Sequence, residues 1–130
     1  MQMMTLTIAM LVGFQIKHFV ADYLLQPHWI LRGKGDLRKL GGYIHALAHA
    51  VGSLPVLAIG GLDFASTLVL ASAEFAVHYA IDHAKAGISI RSGSGPNSAA
   101  YWALHGADQL LHHLTYAAMI FAALLLGDPI

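Results

Sequence analysis

Histidine and carboxylate side chains recur at a spacing of four residues along the chain. His18 and Asp22 form one such pair, and His45 and His49 form another. Residues three or four apart on a helix project from the same face, so each set predicts one polar stripe on a helix. The four stripes comprise His18 and Asp22; His45 and His49; Glu74, His78 and Asp82; and His105, Asp108 and His112. Imidazole and carboxylate groups without thiolates suit zinc, manganese or non-haem iron.

The candidate metal ligands outnumber what one ion requires, and the pool can serve one or two divalent ions. They are His18, Asp22, His45, His49, His78, Asp82, Asp108 and His112. A metal ion at such a site lowers the pKa of a bound water and polarises a carbonyl or phosphoryl group, which is hydrolase chemistry. Glu74 is the candidate general base. Lys85 lies one turn beyond Asp82, where it can pair with that carboxylate or meet an anionic head group.

The composition indicates a membrane protein. Hydrophobic residues make up 57% of the 130-residue chain and charged residues only 11%, less than half the charge of an ordinary soluble domain. Seven basic residues balance seven acidic ones, so the chain lacks the basic field that nucleic-acid binding requires. There is no cysteine, which excludes disulfides and thiolate metal sites.

Four apolar stretches are long enough to cross the hydrocarbon layer, which takes about 20 helical residues. We expect helices at about 3–25, 42–60, 64–86 and 98–126. We expect the first span to be a retained helix rather than a signal peptide, because no small-residue cleavage pattern follows it. The prediction is one all-α domain over residues 1–130, a four-helix transmembrane bundle. Four polar stripes cannot all face lipid, so they should converge on the bundle axis.

The basic residues predict the orientation. The connection at 27–41 carries Arg32, Lys34, Arg38 and Lys39, and Arg91 follows the third span. Basic residues in short loops mark the cytoplasmic side, whereas Asp63 and Asp128 lie near the opposite ends of the spans. We therefore expect both termini on the non-cytoplasmic side and the polar stripes in the cytoplasmic half of the membrane. Lys17 is expected to extend to the cytoplasmic interface.

Several residues and functions have alternative interpretations. We expect His28, His83 and His113, which lie off the stripes, to be packing residues. Haem ligation by His49 and His112 is a weaker alternative, because the many carboxylates nearby are unsuited to haem. The stripes can also serve as interhelical hydrogen bonds in a structural or partner-binding subunit, or line a path for protons or metal ions.

Four short motifs, in their order along the chain, resemble those of a known family. They are Asp22-Tyr-Leu-Leu-Gln26, the His45 and His49 pair, Glu74-x-x-x-His78-x-x-x-Asp82-x-x-Lys85, and Asp108-Gln109-x-x-His112. This arrangement resembles the domain-of-unknown-function 3307 family, small multi-pass membrane proteins of bacteria and their phages. The resemblance implies an integral protein of the bacterial cytoplasmic (inner) membrane. A looser likeness exists to membrane-bound metal-dependent hydrolases, which also place His and Asp on transmembrane helices.

The leading hypothesis is a metal-dependent intramembrane hydrolase. Its substrate would be a lipid or lipid-linked molecule that enters from the cytoplasmic leaflet. The alternatives are a metal-ion or proton transport module and a non-catalytic membrane subunit, either of which can be oligomeric. A transport path would need polar residues through the other half of the membrane, where the sequence offers little beyond Ser53, Ser66 and Thr67.

Overall fold

The computed structural model describes residues 2–127, and within that range the ordered elements are all helical. Four are long helices, and two are short segments, one directly after the first long helix and one within the first connection. The elements are α1 (Gln2–Phe19), a π-helical turn (Val20–Leu24), α2 (His28–Gly33), α3 (Leu40–Ile59), α4 (Phe64–Ser92) and α5 (Ala99–Leu126). The predicted all-α fold is confirmed.

The four predicted spans correspond to four helices that are long and apolar enough to cross a membrane. The largest difference in length is at α4, which continues beyond the predicted residue 86 to Ser92. It ends at Gly93, whose φ of 59° is left-handed and suits glycine. Gly87 does not stop the helix, because a single glycine costs a helix only about 1 kcal/mol.

A short helix, α2, occupies part of the connection that the sequence analysis left without structure. Pro27 precedes it in an extended conformation, and the Pro27 carbonyl accepts the backbone N–H of Ile30 at 3.0 Å. The helix packs closely against the start of α3. A Cβ at Gly41 would lie 2.8 Å from the Ile30 carbonyl oxygen, so only glycine permits this approach.

The long helices form a closed ring around one axis. α3 packs against α1 and α4, and α5 packs against α4 and α1, which gives the order α1, α3, α4, α5. We call the end that carries Arg32, Lys39 and Arg91 the basic end. Asp63 lies at the opposite end, whereas Asp128 falls outside the described residues.

The interior of the bundle changes character along the axis. Away from the basic end it is an apolar core, which includes Met10, Phe14, Leu57, Met119 and Ile120. The outward faces carry large exposed hydrophobic side chains on every long helix. An apolar exterior around a partly polar interior is the arrangement of a membrane protein, since lipid replaces water as the outer solvent.

Candidate metal centre

The predicted stripes meet inside the bundle. The eight candidate ligands come from all four long helices, if the π turn is counted with α1. Seven of them are buried. The buried residues are His18, His45, His49, His78, Asp82, Asp108 and His112, whereas Asp22 is partly buried. The structure therefore brings together side chains that lie up to 94 positions apart in the sequence.

Asp22 lies on the π-helical turn and contacts three imidazoles. The backbone N–H of Leu25 bonds to the Val20 carbonyl at 3.0 Å, which widens the helix at this point. The Asp22 oxygens face Nε2 of three histidines, at distances of 3.0 Å for His45, 3.1 Å for His49 and 3.2 Å for His18. π turns inside helices are common at functional sites.

Asp82 is the second carboxylate of the cluster. Its Oδ2 lies 3.4 Å from Nε2 of His45 and 3.5 Å from Nε2 of His78, and its Oδ1 lies 3.4 Å from Nε2 of His112. Lys34 approaches from the connection after α2, with Nζ 2.8 Å from Oδ2. One carboxylate therefore faces three imidazoles and one ammonium group.

The ligand atoms fall into two overlapping groups. One atom each from Asp22, His45, His49 and His78 lie within 4.8 Å of one another, as do atoms from His78, Asp82 and His112. The two groups share His78. Its ring stacks between those of His49 and His112, and the ring centroids are 3.7 Å and 4.1 Å apart respectively. We call these six residues the histidine–carboxylate cluster.

Several buried atoms of the cluster have no hydrogen-bond partner in the part of the chain that the structure describes. They include Nε2 of His45 and both ring nitrogens of His78, whereas Oδ2 of Asp82 is paired with the Lys34 ammonium group. Nε2 of His45 lies 3.0 Å from Oδ1 of Asp22, and Nε2 of His78 lies 3.5 Å from Oδ2 of Asp82. Neither nitrogen makes a hydrogen bond there. Burying an unsatisfied polar atom costs about 1–3 kcal/mol. Imidazole nitrogens and carboxylate oxygens that crowd together in this way are of the types that bind a zinc ion.

Tyr116 was missed by the sequence analysis. Its hydroxyl lies 2.9 Å from Nδ1 of His18 and 3.2 Å from Nδ1 of His49, and the side chain is 1% exposed. A partner at Nδ1 fixes the orientation of an imidazole ring, and here Nε2 of both rings lies beside Asp22. The available signal was position, because Tyr116 follows His112 by one helical turn on the α5 stripe.

The expectation for Lys17 was wrong. Lys17 is buried and donates hydrogen bonds to the Glu74 carboxylate, to Ser53 Oγ at 3.0 Å and to the His49 carbonyl at 3.3 Å. Glu74 compensates its charge, and Gly52 leaves room for its aliphatic stem. Glu74 itself belongs to neither group of ligand atoms, and its Oε2 has no hydrogen-bond partner among residues 2–127.

Lys85 pairs with a different carboxylate from the one the sequence suggested. Its Nζ lies 2.8 Å from Oδ2 of Asp108 and 3.5 Å from Nδ1 of His105. Asp82 is instead paired with Lys34, which the sequence analysis assigned only to the basic connection. Each lysine therefore contacts one carboxylate at the edge of the cluster.

A polar cavity of about 360 Å³ connects the cluster with the basic end. Its lining comes from the π-helical turn and the residues that follow it, from the α2 segment, from α4 and from α5. The residues are Asp22, Tyr23, Gln26, Leu31, Lys34, Asp82, Lys85, Ala86, Ser89, Tyr101, His105, Asp108 and Gln109. The three aspartates of the candidate ligand pool are thus reachable from one cavity.

The off-stripe histidines lie outside both groups of ligand atoms. His83 accepts or donates no bond within the cluster, and its Nδ1 lies 3.0 Å from the Lys34 carbonyl, which joins α4 to the α2 connection. His28, which was expected to be a packing residue, is instead exposed at the start of α2. His113 lies beside His18, with ring centroids 5.4 Å apart. His83 thus packs between elements, as the sequence predicted.

The fold and the site together define an α-helical membrane protein with a histidine–carboxylate cluster inside a four-helix bundle. Residues 10–128 match the family model described as protein of unknown function (DUF3307). The chain belongs to this family, which confirms the resemblance carried by the four motifs. No curated protein and no solved structure matches the chain.

Proposed function

We propose that the histidine–carboxylate cluster binds one or two divalent transition-metal ions, with zinc, manganese and iron as the candidates. One observation supports this most: buried nitrogen and oxygen atoms converge in two overlapping groups, within 4.8 Å in each, and ring nitrogens of His45 and His78 lack hydrogen-bond partners among the described residues. A purely structural network would give the buried ring nitrogens of His78 hydrogen bonds, and they have none among the described residues. His18 and Asp108 lie outside the two tight groups and contact Asp22 and His112 respectively.

We further propose that the protein is a metal-dependent hydrolase of a lipid or lipid-linked substrate. A bound divalent ion would activate water and polarise the bond to be cleaved. Asp22 and Asp82 are held in place by imidazoles and line the polar cavity, where water and substrate can reach them. Glu74 is the candidate proton acceptor through Oε2, and Lys85 contacts Asp108 at the cavity wall.

The same proposal includes an orientation. The polar cavity lies toward the basic end, and basic connections face the cytoplasm in most membrane proteins. Substrate would then enter from the cytoplasmic leaflet of the bacterial inner membrane. Labelling of cysteines introduced at Lys39 and at Asp63, in intact cells with a membrane-impermeant reagent, tests this orientation. Selective labelling at position 63 is expected.

A transport function is less well supported by the packing. Beyond Lys17, Glu74 and Ser53, the interior is filled by Met10, Phe14 and other members of the apolar core. A proton or ion path across the membrane would need polar groups or water there. Flux into proteoliposomes that depends on Asp82 would favour transport over hydrolysis.

Metal analysis of the purified protein tests the central proposal. Wild-type protein in detergent should contain a stoichiometric transition metal, and His78→Ala should lose it because His78 belongs to both ligand groups. His28→Ala is the matched control, since His28 is exposed and outside the cluster. Absence of stoichiometric metal, with His78→Ala unchanged in stability, would overturn the proposal.

Hydrolysis is tested separately on the metal-loaded protein. Release of product from lipid substrates in mixed micelles should require metal and should be abolished in Asp22→Asn. If the metal is present but Asp22→Asn and Asp108→Asn affect only assembly with another membrane protein, the structural-subunit alternative is correct instead.

A further inference from the structure

The polar cavity carries positive as well as negative groups on its wall. Lys34 and Lys85 line it, and their side chains are 13% and 33% exposed. Each Nζ lies 2.8 Å from one aspartate oxygen. An ammonium group has three N–H donors, so Lys34 keeps donors beyond Asp82, and Lys85 keeps one beyond Asp108 and His105.

Uncharged donors share the same wall. Ser89 and Tyr101, which carry hydroxyl groups, and Gln109, which carries an amide, line the cavity together with the two lysines. Gln109 Nε2 already donates to Asp108 at 3.1 Å. A ligand with several acceptor oxygens can therefore meet two cations and neutral donors in one compartment.

The charges of the interior show which sign of ligand the cavity favours. Asp22, Glu74, Asp82 and Asp108 oppose Lys17, Lys34 and Lys85, which leaves one negative charge when the imidazoles are neutral. One divalent ion on the cluster would turn this into one positive charge, and a second ion would add two more. Uncompensated charge inside a membrane is costly, so the loaded site favours an anion.

The cavity also limits the size of the ligand. Its volume of about 360 Å³ is near the lower limit of small-molecule sites, which is enough for a head group but not for whole acyl chains. Tyr23 and Leu31 line the cavity and are themselves 62% and 48% exposed on the apolar exterior. A lipid can thus place its polar group inside while its chains stay in the bilayer.

We infer that the polar cavity binds the phosphate group of a phosphate ester through Lys34 and Lys85. This inference rests on the proposed function and specifies its substrate class. Lysine acts as a point charge that binds phosphate oxygens, and a phosphoryl group beside the cluster is a target for metal-assisted hydrolysis. The shared chemistry is the phosphate, whether a lipid or a water-soluble ester supplies it.

Binding measurements on the full chain in detergent micelles test the inference. The probes are dioctanoyl phosphatidic acid, dioctanoylglycerol with the same chains but no phosphate, and glycerol 3-phosphate with no chains. Calorimetry should detect phosphatidic acid and not dioctanoylglycerol. Lys34→Gln and Lys85→Gln should each weaken binding by about tenfold or more, because each removes a charged hydrogen-bond donor.

Lys39→Gln is the matched control. Lys39 is also a basic-end lysine paired with an aspartate, at 3.6 Å from Asp36, but it lies outside the polar cavity. Its removal should leave binding unchanged. Lys34→Arg and Lys85→Arg keep the charge and should restore most of the affinity, which separates loss of the cation from loss of folding.

The outcomes distinguish this inference from the proposed function. Equal binding of phosphatidic acid and dioctanoylglycerol, or unchanged affinity in both glutamine variants, would overturn the inference while metal content stands. Lysine-dependent phosphate binding in a protein without metal would keep the inference and overturn the metal proposal. Tighter binding of phosphatidic acid than of glycerol 3-phosphate identifies a lipid source, and equal binding identifies a soluble ester.

Discussion

Lys17 of α1 and Glu74 of α4 form an ion pair inside the bundle, where their side chains are 6% and 0% exposed. The two helices are not neighbours in the ring, so the pair crosses the axis between the apolar core and the histidine–carboxylate cluster. Lys17 also binds Ser53 and the His49 carbonyl on α3. One ammonium group therefore ties three helices together beside the candidate ligands.

Loss of Lys17 should be strongly destabilising. In Lys17→Met the carboxylate of Glu74 stays buried without its cation, and breaking such pairs costs about 3–5 kcal/mol. The double variant Lys17→Met with Glu74→Gln should lose less, because no uncompensated charge remains. Unfolding of the four members of this cycle in the same detergent measures the coupling. Additive losses would contradict the assignment of a mutually dependent pair.

The Tyr116 hydroxyl should matter for metal affinity more than for folding. Tyr116→Phe removes the group that lies against Nδ1 of His18 and His49 but keeps the ring that stacks on Phe14, with centroids 5.1 Å apart. Loss of a group that orients metal ligands typically weakens binding about 10- to 100-fold. Competition with a chelator measures this change.

Tyr43→Phe is the control for that experiment. The Tyr43 hydroxyl donates to the Leu37 carbonyl at 3.1 Å in an exposed position away from the cluster. The metal affinity of Tyr43→Phe should equal that of the wild type. Equal affinity in Tyr116→Phe would show that the hydroxyl does not position the histidines.

Two glycine-to-alanine changes should have opposite effects on stability. At Gly52 an added Cβ would lie 2.7 Å from Cγ of the buried Lys17, so Gly52→Ala should destabilise by about 1–3 kcal/mol through overpacking. At Gly106 on α5 no atom lies within 4 Å of an added Cβ. Gly106→Ala should stabilise by about 0.5–1 kcal/mol, because alanine favours the helix. Thermal unfolding compares the two, and a shift in the same direction for both would refute the crowding at Lys17.

The start of α4 should be sensitive to pH. The Ser66 hydroxyl and backbone N–H bond to the Asp63 carboxylate at 2.6 and 3.0 Å, and they hold the pKa of Asp63 below its ordinary value. The stabilisation is therefore complete above the unfolded pKa, about 3.9, and is lost as pH falls through the lower folded value. Asp63→Ala should lower the unfolding temperature at pH 7 and approach the wild type in acid.

Asp63→Asn separates the cap from the charge. Its amide oxygen still accepts a hydrogen bond at the helix N-terminus, so its stability should not follow the titration of residue 63. A difference between the wild type and Asp63→Ala that stays constant down to pH 2 would show that the carboxylate charge does not stabilise this end.

The spans and the polar stripes could be predicted because their signals are local. About 20 apolar residues specify a membrane helix whatever surrounds it, and the spacing of His78 and Asp82 puts both on one face of α4. Burial of the stripes then follows from the cost of exposing charge to lipid. The lengths of the helices were less predictable, since α4 continues through Gly87 and ends at Ser92.

The contacts between helices depended on register and rotation, which sequence spacing does not specify. Lys85 lies one turn from Asp82 on the same helix, yet it pairs with Asp108 of α5, while Lys34 reaches Asp82 from the α2 connection. The site of Lys17 required both Glu74 and the absence of a side chain at Gly52.

The sequence by itself determined a membrane bundle with inward-facing histidines and carboxylates, because hydrophobic length and helical periodicity act within each segment. Only the tertiary structure decided which groups meet: Tyr116 against His18 and His49, Lys34 against Asp82, and Asp22 placed by a π turn. The physical reason is that each of these contacts joins different segments, and its distance depends on how neighbouring helices are packed rather than on the spacing within one.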